Sequence, residues 1–137
     1  MSEFLTPVQS ALFTRLTDQI SSVNIYDDVP DMTDGKPEDI SPYIVVGDDN
    51  DIPWDTDDTL GSTVLATIHI FSIYQGKAEA KTIMGQIYQA LHRQSSNLIA
   101  AGYRFVDCLS DFSEIFDEDD GATRHGVCRY RLTIEKE

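Results

Sequence analysis

The stretch from Thr63 to Arg93, TVLATIHIFSIYQGKAEAKTIMGQIYQALHR, decides the fold because its hydrophobic period changes halfway along. The first half alternates. Val64, Ala66, Ile68 and Ile70 fall on one side of a β-strand, and Leu65, Thr67, His69, Phe71 and Ile73 on the other. In the second half Ala80, Ile83, Met84, Ile87, Tyr88 and Leu91 recur at helical spacing. Gly76 stands at the joint as an N-cap, with Glu79 three residues on, and His92 and Arg93 close the helix where its dipole favours positive charge. Gly85 in mid-helix costs about 1 kcal/mol relative to alanine, so its presence predicts a close neighbour.

The second side of the strand is unusual for a sheet with one wet face, because Leu65, Phe71 and Ile73 share it with Thr67 and His69. That side is either covered by a helix of the same chain or buried against another chain. Working outward, Thr6-Pro7-Val8-Gln9 reads as a helix start, with Thr6 as cap, proline in first position and Gln9 completing a capping box. Val8, Ala11, Leu12, Leu16 and Ile20 then mark an apolar face, predicting a helix over 7–21. Val23–Tyr26 reads as a short strand, Asp31–Pro42 as a loop, and Pro42–Gly47 as a strand entered from proline and left through glycine.

The acidic run DDNDIPWDTDD (Asp48–Asp58) carries Ile52 and Trp54, the one tryptophan. About half of the 24 acidic residues lie between Asp27 and Asp58, against the single base Lys36. Such a density of like charge predicts a segment that is mobile until something covers or neutralises it. Further on, Gln94–Gly102 is a connector, and Tyr103–Phe116 and Arg124–Glu135 are two long strands joined at Asp117–Gly121. Cys128, Tyr130, Leu132 and Ile134 share one face of the last strand, while Arg129 and Arg131 point away, with Asp107 and Asp111 as expected cross-strand partners. The fold class is therefore α+β: a mostly antiparallel sheet of about four strands, two helices on one face and long acidic loops.

The length of 137 residues suits a single domain over 1–137, and 41% hydrophobic residues suffice for a modest core. A net charge of −14 disfavours phosphate-backbone and anionic-membrane binding. The start MSEFLTPVQ has no basic, apolar signal pattern, and no run approaches the roughly 18 apolar residues of a membrane span. Cys108 and Cys128 read as small buried thiols of a reducing compartment, or as neighbours if their strands pair.

No catalytic constellation, cofactor fingerprint or metal motif stands out. Asp117–Gly121 lacks the spacing of a calcium loop and reads as a solvated hairpin tip. Asp48, Asp49, Asp51, Asp55, Asp57 and Asp58 offer carboxylates for Mg²⁺, as in a nuclease, but in a proline-containing loop rather than on rigid elements. His69, His92 and His125 lack zinc-ligand spacing, so His92 reads as a helix-dipole partner and His125 as a strand-end hydrogen bonder.

Several segments, taken together and in order, resemble the tail completion proteins of long-tailed phages. These are Pro42–Gly47, Trp54–Asp57, the strand end Phe71–Tyr74, Gly76–Met84, Ile87–Leu91, and the acidic tip Asp117–Asp120 followed by Gly121–Val127. The resemblance runs from about Pro7 to Glu135; the loop Asp27–Glu38 departs from the pattern in being more acidic. It implies a non-enzymatic virion protein, a tail terminator with no cofactor, made in the host cytoplasm. As implied, copies form a hexameric ring on the head-proximal end of the tail tube, stop its polymerisation and meet the head–tail connector, leaving a channel for DNA. Its partners would be itself, the tube protein and the connector, with no membrane. Six copies at −14 each give about −84, an acidic wall to which DNA would not adhere. On this reading the candidate assembly surface is Leu65, Phe71, Ile73, Ile52 and Trp54. The candidate channel or loop acids are Asp48, Asp49, Asp51, Asp57, Asp58, Asp117, Asp119 and Asp120. The alternatives are a metal-dependent nuclease using the acidic loop, and a neighbouring neck adaptor or stopper.

Overall fold

The computed structural model describes residues 3–28, 41–74 and 76–137. Helix α1 (Leu5–Gln19) leads into β1 (Asn24–Tyr26), followed by β2 (Tyr43–Pro53) and β3 (Gly61–Ser72). Helix α2 (Ala78–Leu91) and a short 3₁₀ turn (Ser95–Asn97) precede the hairpin of β4 (Tyr103–Asp117) and β5 (Arg124–Lys136). The strands form one sheet in the order β1-β2-β3-β5-β4. The class is α+β as the sequence predicts, but the sheet has five strands and is mixed, because β1 runs parallel to β2. A parallel neighbour requires a long connection, here residues 27–42, which a hairpin reading does not anticipate. The expected loop Asp31–Pro42 lies almost wholly outside the described residues.

The period change at the centre is realised, except that Tyr88 of the helical stripe is 48% exposed and Ala90 is buried. Val64, Ala66, Ile68 and Ile70 are fully buried, as are Ile87 and Leu91 of α2. Ile44 and Val46 of β2, Cys128, Tyr130, Leu132 and Ile134 of β5, and Val8, Leu12 and Leu16 of α1 join them in one core. Both helices lie on this inner face, α1 over β1 and β2, α2 over β3, β5 and β4. Among the described residues no helix is long and apolar enough to cross a membrane.

The caps differ from expectation. Helix α1 begins at Leu5 with Phe4 at its cap, so Thr6 and Pro7 lie inside the first turn, where a missing N–H costs nothing. Gln9 does not close a capping box; its amide donates to Val46 O at 2.8 Å and ties α1 to β2. Lys77, not Gly76, caps α2, and Glu79 accepts from Ser72 Oγ at 2.7 Å, bracing the helix start against β3. His92 accepts the Ser110 amide at 3.0 Å and stacks on Tyr88, so it joins the helix end to β4 rather than serving the dipole alone.

Gly85 is a further correction. It is exposed, and nothing lies within 4 Å of the position its Cβ would take, so no close neighbour explains it. Gly85→Ala is therefore expected to raise stability by about 1 kcal/mol, read as a higher urea midpoint at unchanged m-value. A lowered midpoint would mean that this helix face is not open.

The acidic segment Asp48–Asp58 is only partly a loop. Its first half continues β2 through Pro53, paired with β3 from Asn50–Leu65 to Pro53–Ser62 beyond an irregularity between Gly47 and Asn50. Backbone pairing is indifferent to side-chain charge where the side chains reach water, as Asp48, Asn50 and Ile52 do here. Trp54 closes the turn: its N–H donates to Gly61 O at 2.9 Å, and its ring lies over Gly61. The first half of this segment is thus strand rather than loop, and Trp54 docks the following turn within the chain itself.

The β4–β5 hairpin matches the sequence reading closely, but its register does not pair the arginines with Asp107 and Asp111. Irregularities between Phe105 and Asp107 and between Ser110 and Phe112 slide β4, so that Arg129 faces Phe112, Arg131 faces Leu109 and Asp107 faces Thr133. The Arg129 guanidinium sits 5.7 Å from the Phe112 ring centroid instead. The same register keeps the cysteines apart: Cys108 faces Leu132 and Cys128 faces Ser113. Both are buried free thiols, pushed up by burial to about 12 for Cys108 and about 11 for Cys128, and hence inert.

Candidate functional site

The face of the sheet opposite the helices carries most of the residues singled out by sequence. Leu65, Thr67, His69 and Phe71 of β3 project onto it, paired with Arg131, Arg129, Val127 and His125 of β5. No described helix covers it, which settles the first of the two sequence options for the described residues. Leu65 and Phe71 are half-buried by their neighbours on the sheet, whereas Ile52 remains 64% exposed and Phe112 43% exposed. Ile73 falls just past the end of β3, where its N–H donates to Ser41 Oγ. Trp54 is at the opposite end of β3, folded onto Gly61.

One end of this face is built from rings. Register places Tyr43, Phe71, His125 and Phe116 in one row across β2, β3, β5 and β4. Successive centroids lie 4.9, 4.4 and 4.8 Å apart, and Tyr26 of β1 extends the row at 5.9 Å from Tyr43. At these distances the rings pack on one another, so the row stiffens the sheet across four strands.

Beside the row lies a grouping that the sequence did not announce. His69 Nε2 is 2.7 Å from Asp48 Oδ2, His69 Nδ1 is 2.8 Å from His125 Nε2, and His125 Nδ1 is 2.6 Å from Glu118 Oε1. Asp48 reaches His69 because it occupies the irregularity of β2 with a left-handed backbone (φ 62°), which aspartate tolerates better than most residues. His125 is diagonal to His69 across the β3–β5 pair, which is within reach of long side chains. Burial holds the His125 pKa below the ordinary histidine value; the hydrogen bond to Glu118 opposes this and the neighbouring His69 adds to it. The sequence signal was parity: His69 sits on the outer side of β3, and His125 shares the side of Arg129 and Arg131. Only the register shows that the two imidazoles meet.

The carboxylates do not converge. Asp48 joins the histidines, Asp51 accepts from Ser62 Oγ at 3.1 Å, and Asp57 and Asp58 lie exposed in the β2–β3 turn. Asp49 is partly buried, and its carboxyl is held above the usual range by that burial, with the Thr67 backbone opposing and Asp48 adding. At the hairpin tip Asp117 pairs with Arg124 at 3.4 Å, and Asp120 accepts from the Ala122 and Thr123 amides at 2.8 Å, while Asp119 is exposed. The turn and the tip stand at opposite ends of β5, since Gly61 pairs with Glu135 and Asp117 with Arg124. Among the described residues no group of three or more histidines, cysteines or carboxylates has metal-holding geometry.

The architecture recurs in a solved virion. A chain in the structure of the native gene transfer agent (GTA) particle superposes with a TM-score of 0.83 at 17% identity, over 98% of this chain and 99% of that one. This defines the fold class. A family model, that of tail completion protein gp17, matches residues 9–135, and the chain belongs to that family of phage proteins. A relative, tail completion protein gp17 of Bacillus phage SPP1, is 29% identical over 97 residues, covering 71% of this chain and 70% of that protein.

Proposed function

We propose that this chain is a virion structural subunit that caps the head-proximal end of the tail tube as a ring of copies. In that place it stops tube polymerisation, meets the head–tail connector and leaves a channel for DNA. The observation that carries the reading is the family match over residues 9–135 together with an outer sheet face left open by both helices. A half-apolar face with Leu65, Phe71, Ile52 and Phe112 is the kind of surface that subunit contacts cover. A head-to-tail contact between identical copies closes into a ring when its rotation allows. The name of the SPP1 relative supports a place in the tail, and the fold shared with a chain of a virion fits a structural role.

The exposed acids of the turn (Asp57, Asp58) and of the tip (Asp117, Asp119, Asp120) give the subunit its anionic ends. Around a channel they would repel DNA rather than retain it. The nuclease alternative needs carboxylates gathered on one site, and the acids of the former loop are instead spread over the sheet and its turn.

Leu65→Asp and Phe71→Asp test the reading. Each puts a charge where a subunit contact would desolvate it, so each is expected to abolish rings in sedimentation and negative-stain images, with the subunit still folded by circular dichroism. Wild-type rings from both variants would remove this face from the interface; wild-type protein that never forms rings or caps tubes would remove the ring itself.

A further inference from the structure

We propose that Asp48, His69, His125 and Glu118 form a proton-operated latch, closed by one shared proton, that ties the β4–β5 hairpin tip to the β2 irregularity across the open face. The argument is a proton count. Three contacts in series, at 2.7, 2.8 and 2.6 Å, each require one bridging proton. Two neutral imidazoles bring only two. With both carboxylates ionised, His69 Nε2 and His125 Nδ1 must each carry a hydrogen, and the third proton then lies between His69 Nδ1 and His125 Nε2. One fewer leaves one of the three contacts with lone pairs facing each other, which one depending on the tautomer; one more sets two N–H groups head to head between the rings. Either change opens a contact of the series, so the latch is closed over a band of pH and released on both sides of it.

The surroundings select this charge state. Asp48 from β2 and Glu118 from the hairpin tip flank the pair directly. Asp27 and Asp28, just after β1, border the same depression of about 310 Å³. Glu114 of β4 shares the outer face in the register row of Val127 and His69, and Arg129 is the cation of the adjoining row. The flanking charges are mostly anionic and favour one positive charge on the pair, against the burial that holds the His125 pKa down. The side chains of His69 and His125 are only 17% and 14% exposed, and each imidazolium would oppose the other, which resists a second charge. Phe71 and Phe116 pack on His125 and leave it little room to turn away. The tip responds because Glu118, the last member, also holds the turn through its N–H to Thr123 O at 2.9 Å and its carbonyl to the Gly121 N–H at 3.1 Å.

The test uses the full chain and ¹H–¹⁵N spectroscopy of the imidazole nitrogens across pH, with the Glu118 and Gly121 amides followed in the same samples. The wild type is expected to show two titration steps for the pair, separated by at least about one pH unit. Between them hydrogens should persist on His69 Nε2 and His125 Nδ1, and the tip amides should shift at both steps. Glu118→Gln keeps an acceptor but removes its charge, and should move the upper step down by about one pH unit. His69→Gln should leave His125 with a single step. Two histidines titrating independently at one midpoint would overturn the latch, as would tip amides that ignore the titration. None of these readouts involves assembly, so failure of the latch and failure of the ring reading are distinguishable.

Discussion

Ile68→Ala is expected to destabilise the isolated chain by about 2–5 kcal/mol, the range for removing a large aliphatic side chain from a core that cannot collapse around the gap. Ile68 is fully buried at the middle of β3, opposite Val46 of β2 and Cys128 of β5. Both of its neighbouring strands are themselves held in place by pairing and by the helices above, so relaxation into the cavity is limited. Ile99→Ala is the matched control: Ile99 is 82% exposed, and its loss should change stability by no more than about 0.5 kcal/mol. Urea denaturation of the two variants, read by circular dichroism, makes the comparison. Equal midpoints would mean that β3 is not the centre of the core.

Gly61→Ala is expected to expel Trp54 from its place. A methyl group at Gly61 would stand 2.5 Å from Trp54 Cζ2 and 2.6 Å from Cε2, closer than packed atoms allow. Trp54 is part of the folded turn, with its backbone N–H donated to Gly61 O at 2.9 Å and the Gly61 N–H donated to Asp55 Oδ1 at 3.2 Å. A rigid ring lying directly on the glycine must shift as a whole to admit the methyl group, so overpacking should cost about 1–3 kcal/mol. Because Trp54 is the only indole, its fluorescence reports the event directly, and the emission maximum should move to the red in the variant. Adding Gly61→Ala to Trp54→Ala should cost much less than Gly61→Ala alone, since the clash partner is gone. An unchanged emission maximum in Gly61→Ala would show that the ring does not rest on the glycine.

This pairing also shows why the sequence misjudged the acidic segment. Six aspartates in eleven residues suggest repulsion and mobility, yet the turn is held by backbone pairing to β3, by Trp54 on Gly61, and by Thr56 and Thr59 around Asp58. Exposed carboxylates do not oppose a strand whose side chains reach water. Nor does charge density reveal that a glycine seven residues on has left space for an indole.

Apart from Asp48–Pro53, the sequence by itself determined which residues make the main strands and helices and which side of each is buried, because those are local periodicities. Val64 to Ile70, Cys128 to Ile134 and the 3.6-residue stripes of both helices were legible for that reason, as was the family through the order of its segments. Tertiary structure decided what faces what. The slide of β4 that sets Arg129 against Phe112 rather than Asp111 depends on where the ladder is interrupted, and the left-handed turn of Asp48 depends on a second interruption in β2. The meeting of His69 with His125, 56 residues apart, required both strands to be placed in one register. Parity is fixed by the two-residue repeat of a single strand, but register is settled by the packing of the whole sheet under its helices.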